Sequence, residues 1–596
     1  MSYRNLRSFI KYLELKGELV RIYEEVDPVE EVTVIQHRVF ERSGPALLFE
    51  NVKNSPYRLV TNLFGTHKRV ERVFGRHPGE IGENIISLAD VFMPLNIKKV
   101  WKEKENIFRV AKVRLKTVTK GPVLDNIVQP PKLTQLPCLT CWPKDGGPFF
   151  TLPLVHTVDP ETKIGNLGIY RLQRYDDSTT GMHWQIERGG GFHFNKACSL
   201  NIPLPVSVIL GGPPALTIAA IASLPEGIDE RLLACFIMGK PLEVIRRKGT
   251  GHKIPIQSEF VLEGKVCPGI VRREGPFGDH LGHYSHSADF PVFQVNRMLF
   301  RNNPVFPATV VGKPPQEDYY IGMAIQELSI PILKFMNPGI SDFWAYPETG
   351  FHPLAVASVK ERYPKEALKQ AFAILGFSQL SLTKVLIITN GSCPDIRNFR
   401  EVSRQVWKNL DSEEGLHLLA PTAQDTLDFT GPAMNTGSRL ILLATERNGE
   451  PKRTKPPSVI SEDLKPHEDI LKMKQLGEAF LIVQVNDIGS IGSIRGALNS
   501  HPVTRQYLFH VLVSSDVPLD NPVLILWGWF TRFDPLVDIH PSKREMSGNK
   551  ILFSFPVTID ARWKKGYREP VAFDPDTLKK VEKKWRRIES QIHHPG

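Results

Sequence analysis

The sequence predicts a mixed α/β protein in three parts: a small N-terminal α/β unit over 1–110, a central β-rich segment over 111–330 of barrel or split-barrel type, and a C-terminal α/β domain over 331–596 that ends in a helix. Three observations carry this prediction. Apolar residues at helical spacing open the chain, short strands broken by Gly and Pro fill the middle, and strands alternate with helices from Pro353 onward.

The elements follow in order. Leu6, Phe9, Ile10 and Leu13 mark an amphipathic helix stopped by Gly17, and Asp27-Pro28 is expected to cap a second helix with Val32, Ile35 and Val39 on one face. A strand is expected over Ala46 to Glu50. Central strands are expected near Phe149 to Val155, Gly165 to Arg171, Pro205 to Leu210, Phe260 to Val266 and Pro291 to Val295. The uncharged stretch from Ile202 to Pro225 has the length of a membrane span, but five prolines and Gly211-Gly212 make it buried strand, turn and short helix. Beyond Pro353 the pattern gives strands near 354–359, 384–389, 417 and 440, with helices near 365–375 and 395–410. The charged, proline-bearing stretch 446–469 reads as an exposed insertion, followed by strands around 480–485 and 523–529. A terminal helix over 574–592, capped by Asp574-Pro575, sets Leu578, Val581, Trp585 and Ile588 against a basic remainder. Docking on protein is the favoured reading of that helix, and a membrane surface is the competing one. No internal repeat is evident.

At 596 residues the chain is long enough for three or four packed units. Hydrophobic residues at 41% and charged residues at 23% exclude wholesale disorder and a membrane-embedded bundle. The net charge of +11 permits anionic partners. Outside the terminal helix, however, the basic residues are interspersed with acids, which argues against a nucleic-acid module. Six cysteines are too few for a disulfide framework, and the opening Met1-Ser-Tyr-Arg-Asn lacks a secretory pattern, so a cytoplasmic location is expected.

Three polar clusters can carry chemistry. The first is Asn166-Leu-Gly-Ile-Tyr-Arg171 with His183-Trp-Gln-Ile-Glu187-Arg188-Gly-Gly-Gly191, where glycine amides suit a phosphate and Arg171 offers a planar fork to an anion. A tight turn between strands fits the glycine triplet equally well. The second is Glu274-Gly-Pro-Phe-Gly-Asp279-His280, whose turn can bring two carboxylates into one pocket, although surface loops share this composition. In the third, Glu230 heads an apolar helix, as a first-turn residue favoured by the dipole or as a metal ligand. Cys138-Leu-Thr-Cys141 is a lone pair, read as structural.

These clusters, in this order and spacing, resemble the UbiD family of decarboxylases. The resemblance begins at Leu6, passes through Gly44-Pro-Ala-Leu-Leu-Phe-Glu-Asn51 and Asn62-Leu-Phe-Gly-Thr66, and runs to about residue 440. It implies a split-barrel domain binding prenylated FMN, made by a flavin prenyltransferase, whose phosphate is held through Mn²⁺ or Mg²⁺ with K⁺ nearby. It also implies an α/β oligomerisation domain and a homo-oligomer, dimer or hexamer.

By position, Asn166, Glu187 and Glu230 are the metal ligands the resemblance implies. Ile169, Tyr170, Arg171, His183, Trp184, Gln185, Arg188 and Gly189 are cofactor contacts, with Asn166 and Glu230 joining them through the metal. Arg171, Glu274 and Asp279 are the catalytic arginine and acids. Glu274 is the expected proton donor, with Arg171 orienting it and touching the substrate carboxylate. Glu187 stands where the family commonly has His; glutamate remains a good oxygen ligand, and His183 and His193 are alternatives.

The segments Trp527-Gly-Trp-Phe-Thr-Arg-Phe-Asp-Pro535 and Ile559-Asp-Ala-Arg-Trp-Lys-Lys-Gly566 resemble the longer menaquinone-biosynthesis decarboxylases of the futalosine route. That implies an aromatic quinone precursor, a 1,4-dihydroxy-6-naphthoate, free or prenylated, as substrate; the runner-up is the 4-hydroxy-3-polyprenylbenzoate of ubiquinone synthesis. A prenyl tail would give the basic helix a use at the inner face of the membrane.

Overall fold

A computed structural model describes residues 3–92, 110–185, 188–446 and 451–593, apart from 223, 226, 392, 462, 488 and 549. The chain divides into two compact units. Residues 1–329 join 569–596 in the first, and 330–568 form the second.

In the first unit the opening helix, Leu6–Leu15, buries Leu6, Phe9, Ile10 and Leu13, as its spacing predicts. The second helix, Glu31–Phe40, starts later than expected and has no side-chain cap. Asp27 instead accepts from Val29 N and pairs with Lys53, which leaves Glu30 at the cap position. A four-stranded sheet of Leu19–Ile22, Ala46–Phe49, Arg58–Thr61 and Val305–Pro307 completes this part.

The central segment forms a seven-stranded antiparallel sheet. Its path runs Thr179–Gly181, Ala288–Phe300, Phe260–Glu274, Leu204–Leu210, Leu154–Val158 and Gly165–Ile169, with Asn126–Val128 pairing onto Ala288–Phe300. No continuous ladder joins the two edges among the described residues, so the expected barrel is here an open path. A backbone hydrogen bond from His183 N to Arg171 O, 3.4 Å, ties the chain just past one edge to the chain just past the other. The stretch after Ile202 is strand, Gly-Gly turn and the helix Pro214–Ile221, as read from its prolines. Among the described residues no helix is long and apolar enough to cross a membrane.

The terminal helix, Pro575–His593, belongs to this first unit although the sequence grouped it with 331–596. Asp574 caps it by accepting from Thr577 N at 2.8 Å. Val581, Trp585 and Ile588 are buried in one cluster with Val32, Ile35, Val39 and Trp142. Arg38 lies over the Trp585 ring and pairs with Glu582, and Lys584 pairs with Glu31. The apolar face is thus taken up by protein contacts, each buried large side chain contributing about 1.5–3 kcal/mol, and only the basic face meets solvent.

The second unit holds two five-stranded sheets. The first contains Ile340–Ala345, Leu354–Val359, Val385–Asn390, Leu416–Ala423 and Thr436–Ala444; the second contains Ile470–Leu476, Phe480–Val485, Phe509–Val513, Ile539–Ser547 and Lys550–Ala561. Between them, 451–461 and 463–469 form neither helix nor strand, as expected of an insertion, yet Tyr507 Oη donates to Ser458 O at 2.9 Å and pins it. The strand expected at 523–529 is a helix, Pro522–Phe530. Its run is apolar on every side and has no readable period, while Asn521 caps it by accepting from Val523 N and Leu524 N, with Pro522 in the first helical position.

Candidate active site

The site is assembled by what leaves the ends of the central strands. Glu274 is the last residue of Phe260–Glu274, and Gly275 follows with φ 88°, a conformation that favours glycine, so the chain doubles back toward Asp279. Arg171 leaves the edge strand Gly165–Ile169, and His183 leaves Thr179–Gly181 at the other edge.

These side chains converge. Arg171 Nε donates to Glu274 Oε1 at 3.0 Å, Nη2 donates to Glu274 Oε2 at 3.5 Å and to Ser285 Oγ at 3.0 Å, and Nη1 donates to Asp279. The guanidinium lies over the Phe277 ring, 4.9 Å from its centroid. His183 Nδ1 meets Glu274 Oε2 at 2.6 Å, and Asp279 also accepts from His280 N at 2.7 Å. Glu274 is fully buried, with Arg171 only 9% exposed. The two carboxylates therefore share one arginine, and the surface-loop alternative for 274–280 falls. Most of the Arg171 fork is already occupied by protein acceptors, so its visible work is to orient Glu274.

The electrostatics follow from this packing. Burial pushes the Glu274 carboxyl up, but the Arg171 charge and the His183 bond outweigh it and hold the group below its ordinary value. Asp279 behaves alike: burial opposes ionisation, and His280 and Arg171 together hold it well below the carboxylate range. Burial, and then Arg171, lowers His183, which keeps the ring neutral with Nδ1–H donating to the carboxylate.

The second cluster adjoins the first through Tyr170, next in sequence to Arg171. Glu230, first residue of the helix Glu230–Met238, accepts from Asn166 Nδ2 at 2.9 Å and from Leu167 N at 2.7 Å. Tyr170 Oη lies 3.5 Å from Asn166 Oδ1 and accepts from Gly190 N at 3.1 Å. Burial pushes the Glu230 carboxyl up to about 7, against the lowering pull of the Leu167 amide and the Arg231 charge. The glycine triplet does not turn between strands: it opens the helix Gly189–Ser199, whose cap position is Arg188 and whose first-turn amides suit an anion. A Cβ on Gly189 would lie 2.4 Å from Asn166 Nδ2, so a side chain there would displace the Asn166 amide.

The remaining expected residues place as follows. Ile169 ends the edge strand half-buried, and Trp184 and Gln185 follow His183, also half-buried. Trp184 packs on Phe194. His183 Nε2 and Trp184 Nε1 are buried without a hydrogen-bond partner among the described residues, as expected of groups that face a ligand. Glu187 lies outside the described residues. Of its proposed stand-ins, His193 bonds Thr157 at 2.9 Å and His183 is committed to Glu274. Among the described residues no group of three His, Cys, Asp or Glu converges as a metal cage; Asn166 and Glu230 supply two oxygen donors side by side.

Ser285, Phe277 and Asp145 escaped the sequence reading. Asp145 accepts from Cys141 N, Trp142 N and Gly278 N and so pins the loop that carries Asp279. Ser285 and Phe277 lie in or beside the Glu274–His280 string, a signal that could have found them; Asp145 sits far upstream and offered none. Cys138 and Cys141 are free and fully buried, and burial pushes both thiols up to about 12, which makes them inert.

Comparisons with known proteins identify the family. Family models of 3-octaprenyl-4-hydroxybenzoate carboxy-lyase match the chain over residues 10–89 (N-terminal domain), 116–314 (Rift-related domain) and 319–444 (C-terminal domain). A Chlamydia pneumoniae protein, named as a component of 4-hydroxybenzoate decarboxylase, is 37% identical over 581 residues, 97% of each chain. An uncharacterized Archaeoglobus fulgidus protein is 38% identical over 449 residues, 75% of this chain and 92% of its own. Among solved structures, the UbiD-class enzyme HmfF from Pelotomaculum thermopropionicum in complex with FMN is 25% identical with a TM-score of 0.63, covering 76% of this chain and 97% of its own. The fold is also that of the closed vanillic acid decarboxylase of Sedimentibacter hydroxybenzoicus, with a TM-score of 0.67, 24% identity, and coverage of 77% and 97%. The chain belongs to the UbiD family and is a UbiD-type carboxy-lyase.

Proposed function

We propose that this protein decarboxylates an aromatic acid without net oxidation, using prenylated FMN and a divalent metal ion, and that its substrate is a 1,4-dihydroxy-6-naphthoate, free or prenylated, of menaquinone biosynthesis. The observation that carries the reaction class is the buried Arg171, which binds Glu274 and Asp279 within the domain the family model matches. The substrate rests on the 527–535 and 559–566 strings. A 4-hydroxybenzoate, including its polyprenylated form, is the second reading, favoured by the name of the Chlamydia pneumoniae relative.

Loss of CO₂ from an aromatic carboxylate leaves an electron pair in the ring plane with no resonance outlet; bound prenylated FMN supplies the sink. Ile169, Tyr170, His183, Trp184, Gln185, Arg188 and Gly189 would hold it, with Asn166, Glu230 and Glu187 gripping Mn²⁺ or Mg²⁺ at its phosphate. Nε2 of His183 and Nε1 of Trp184, without a hydrogen-bond partner among the described residues, and the glycine-lined approach at 189 support that fit. The chain's own part is proton management. Glu274 rests as a carboxylate. A substrate carboxylate arriving beside it adds negative charge, which raises Glu274 so that it takes up a proton from solvent as the substrate binds. Once CO₂ has left, neutral Glu274 gives its proton to the ring carbon and returns to Arg171, while Asp279 keeps the guanidinium in place.

The test is co-expression with a flavin prenyltransferase, mass spectrometry of the extracted cofactor, metal analysis, and assay against naphthoate and hydroxybenzoate acids. Release of CO₂ from the naphthoate alone supports the proposal. Turnover of the hydroxybenzoate alone moves the substrate to the second reading, and bound unmodified FMN with no CO₂ release from either acid defeats both.

A further inference from the structure

The two sheets of the second unit are built to one plan, although no repeat is visible in the sequence. In each, the strands lie in the order first, second, third, fifth, fourth, and the successive pairings are antiparallel, parallel, parallel, antiparallel. In each, a helix follows the second strand, Glu366–Leu375 or Ile491–Ser500, and a short 3₁₀ turn leads into the third. A second helix then follows the third strand, Phe399–Asn409 or Pro522–Phe530, capped by an asparagine, Asn398 or Asn521.

Their mutual contacts are reciprocal. The Phe399–Asn409 helix of the first module seats on the hairpin turn of the second: Ser403 Oγ donates to Leu476 O at 2.8 Å and accepts from Ala479 N at 3.0 Å, and Arg404 donates to Glu478 at 2.9 Å. The matching Pro522–Phe530 helix of the second module packs on Pro347–Thr349, in the hairpin turn of the first. Where the two helices meet, Phe399 stands edge-on to Trp529, 5.9 Å between centroids. Helix on turn, and turn on helix, is the pattern of a twofold interface between like surfaces.

We propose that 340–444 and 470–561 are two copies of one module paired within the chain as an internal pseudo-dimer, so that the face one module offers to its like is filled in cis. The Archaeoglobus relative is shorter than this chain by about the length of one module, which fits a single copy there.

The test uses the full chain with two engineered protease sites, one between Lys455 and Pro456 and one at Lys565-Gly566, both exposed. Cutting both frees the second module from every covalent tie. It is expected to stay bound, the cut protein keeping the mass of the uncut one by light scattering. Release of the module at micromolar concentration overturns the proposal. In a second arm, Trp529→Asp in the uncut chain loosens the internal pairing and exposes the Phe399 face. The mass of that variant is expected to double relative to wild type, and Phe399→Asp added to it to restore the wild-type mass. A Trp529→Asp chain that keeps the wild-type mass shows the face is not self-complementary and overturns the pairing.

Discussion

Glu274 and Glu230 are buried glutamates of one unit, and their surroundings drive them in opposite directions. Around Glu274 the compensating groups are already in place: Arg171 and His183 bond it directly, and it rests ionised. Glu230 accepts from the amides of Asn166 and Leu167, but burial outweighs these bonds and the Arg231 charge and pushes it up to about 7. In one region the bonded partners outweigh burial and in the other burial wins, which is the difference expected between a proton-handling group and a ligand for a cation.

The strongest way to break this contrast is Glu274→Gln, which keeps the shape and removes the titrating oxygen. Turnover is expected to fall about a thousandfold with flavin and metal content unchanged; near-normal turnover would remove Glu274 from proton transfer. Arg171→Met should act on the fold as well. It leaves two buried carboxylates without their partner, at a cost of roughly 3–5 kcal/mol in urea unfolding. The sign with pH is set by the depressed carboxyls: their stabilisation is full above the ordinary carboxylate range and is lost as pH falls from that range through their lower folded-state values, because the unfolded chain takes up protons first. Wild type should therefore start to lose its advantage over Arg171→Met below about pH 5 and go on losing it toward about pH 2, and an advantage that does not shrink over that range would mean the pair is not what Arg171 stabilises.

Glu230→Gln is the matching change in the other region. Metal affinity should drop by about 10- to 100-fold in a titration followed by metal analysis, whereas Glu274→Gln should leave it alone; equal losses in both variants would erase the distinction. His183→Asn should cost about tenfold in turnover and shift the pH profile, since the group bonded to Glu274 Oε2 has changed. The smallest effect is expected at Cys138→Ser with Cys141→Ser, whose thiols touch neither region. Activity should stay within twofold, about 0.4 kcal/mol, and native protein should resist thiol reagents.

Much of this site was legible in the sequence because its residues come in short unusual strings. Asn166 to Arg171, His183 to Gly191 and Glu274 to His280 each present polar groups at strand ends, and the structure brings the first and last onto a single arginine. The protonation of Glu274 was not legible, because it depends on Arg171 and His183 arriving from two sheet edges 103 and 91 residues away. Nor was Asp145, whose role exists only once three backbone amides have gathered around it.

By itself the sequence determined the periodic elements: the opening helix, the central strands, the prolines that turn 202–225 into strand, turn and helix, and the caps of the terminal helix. These depend on neighbours within a few residues, and local side-chain spacing encodes them. The tertiary structure alone decided where the terminal helix docks and that the second unit repeats one plan twice, and it showed 522–530 to be helical where the Asn521-Pro522 cap, but no period, signals a helix. An amphipathic pattern states that a face will be buried but not against what, an all-apolar run carries no period, and strand order is written in hydrogen bonds between segments far apart in the chain.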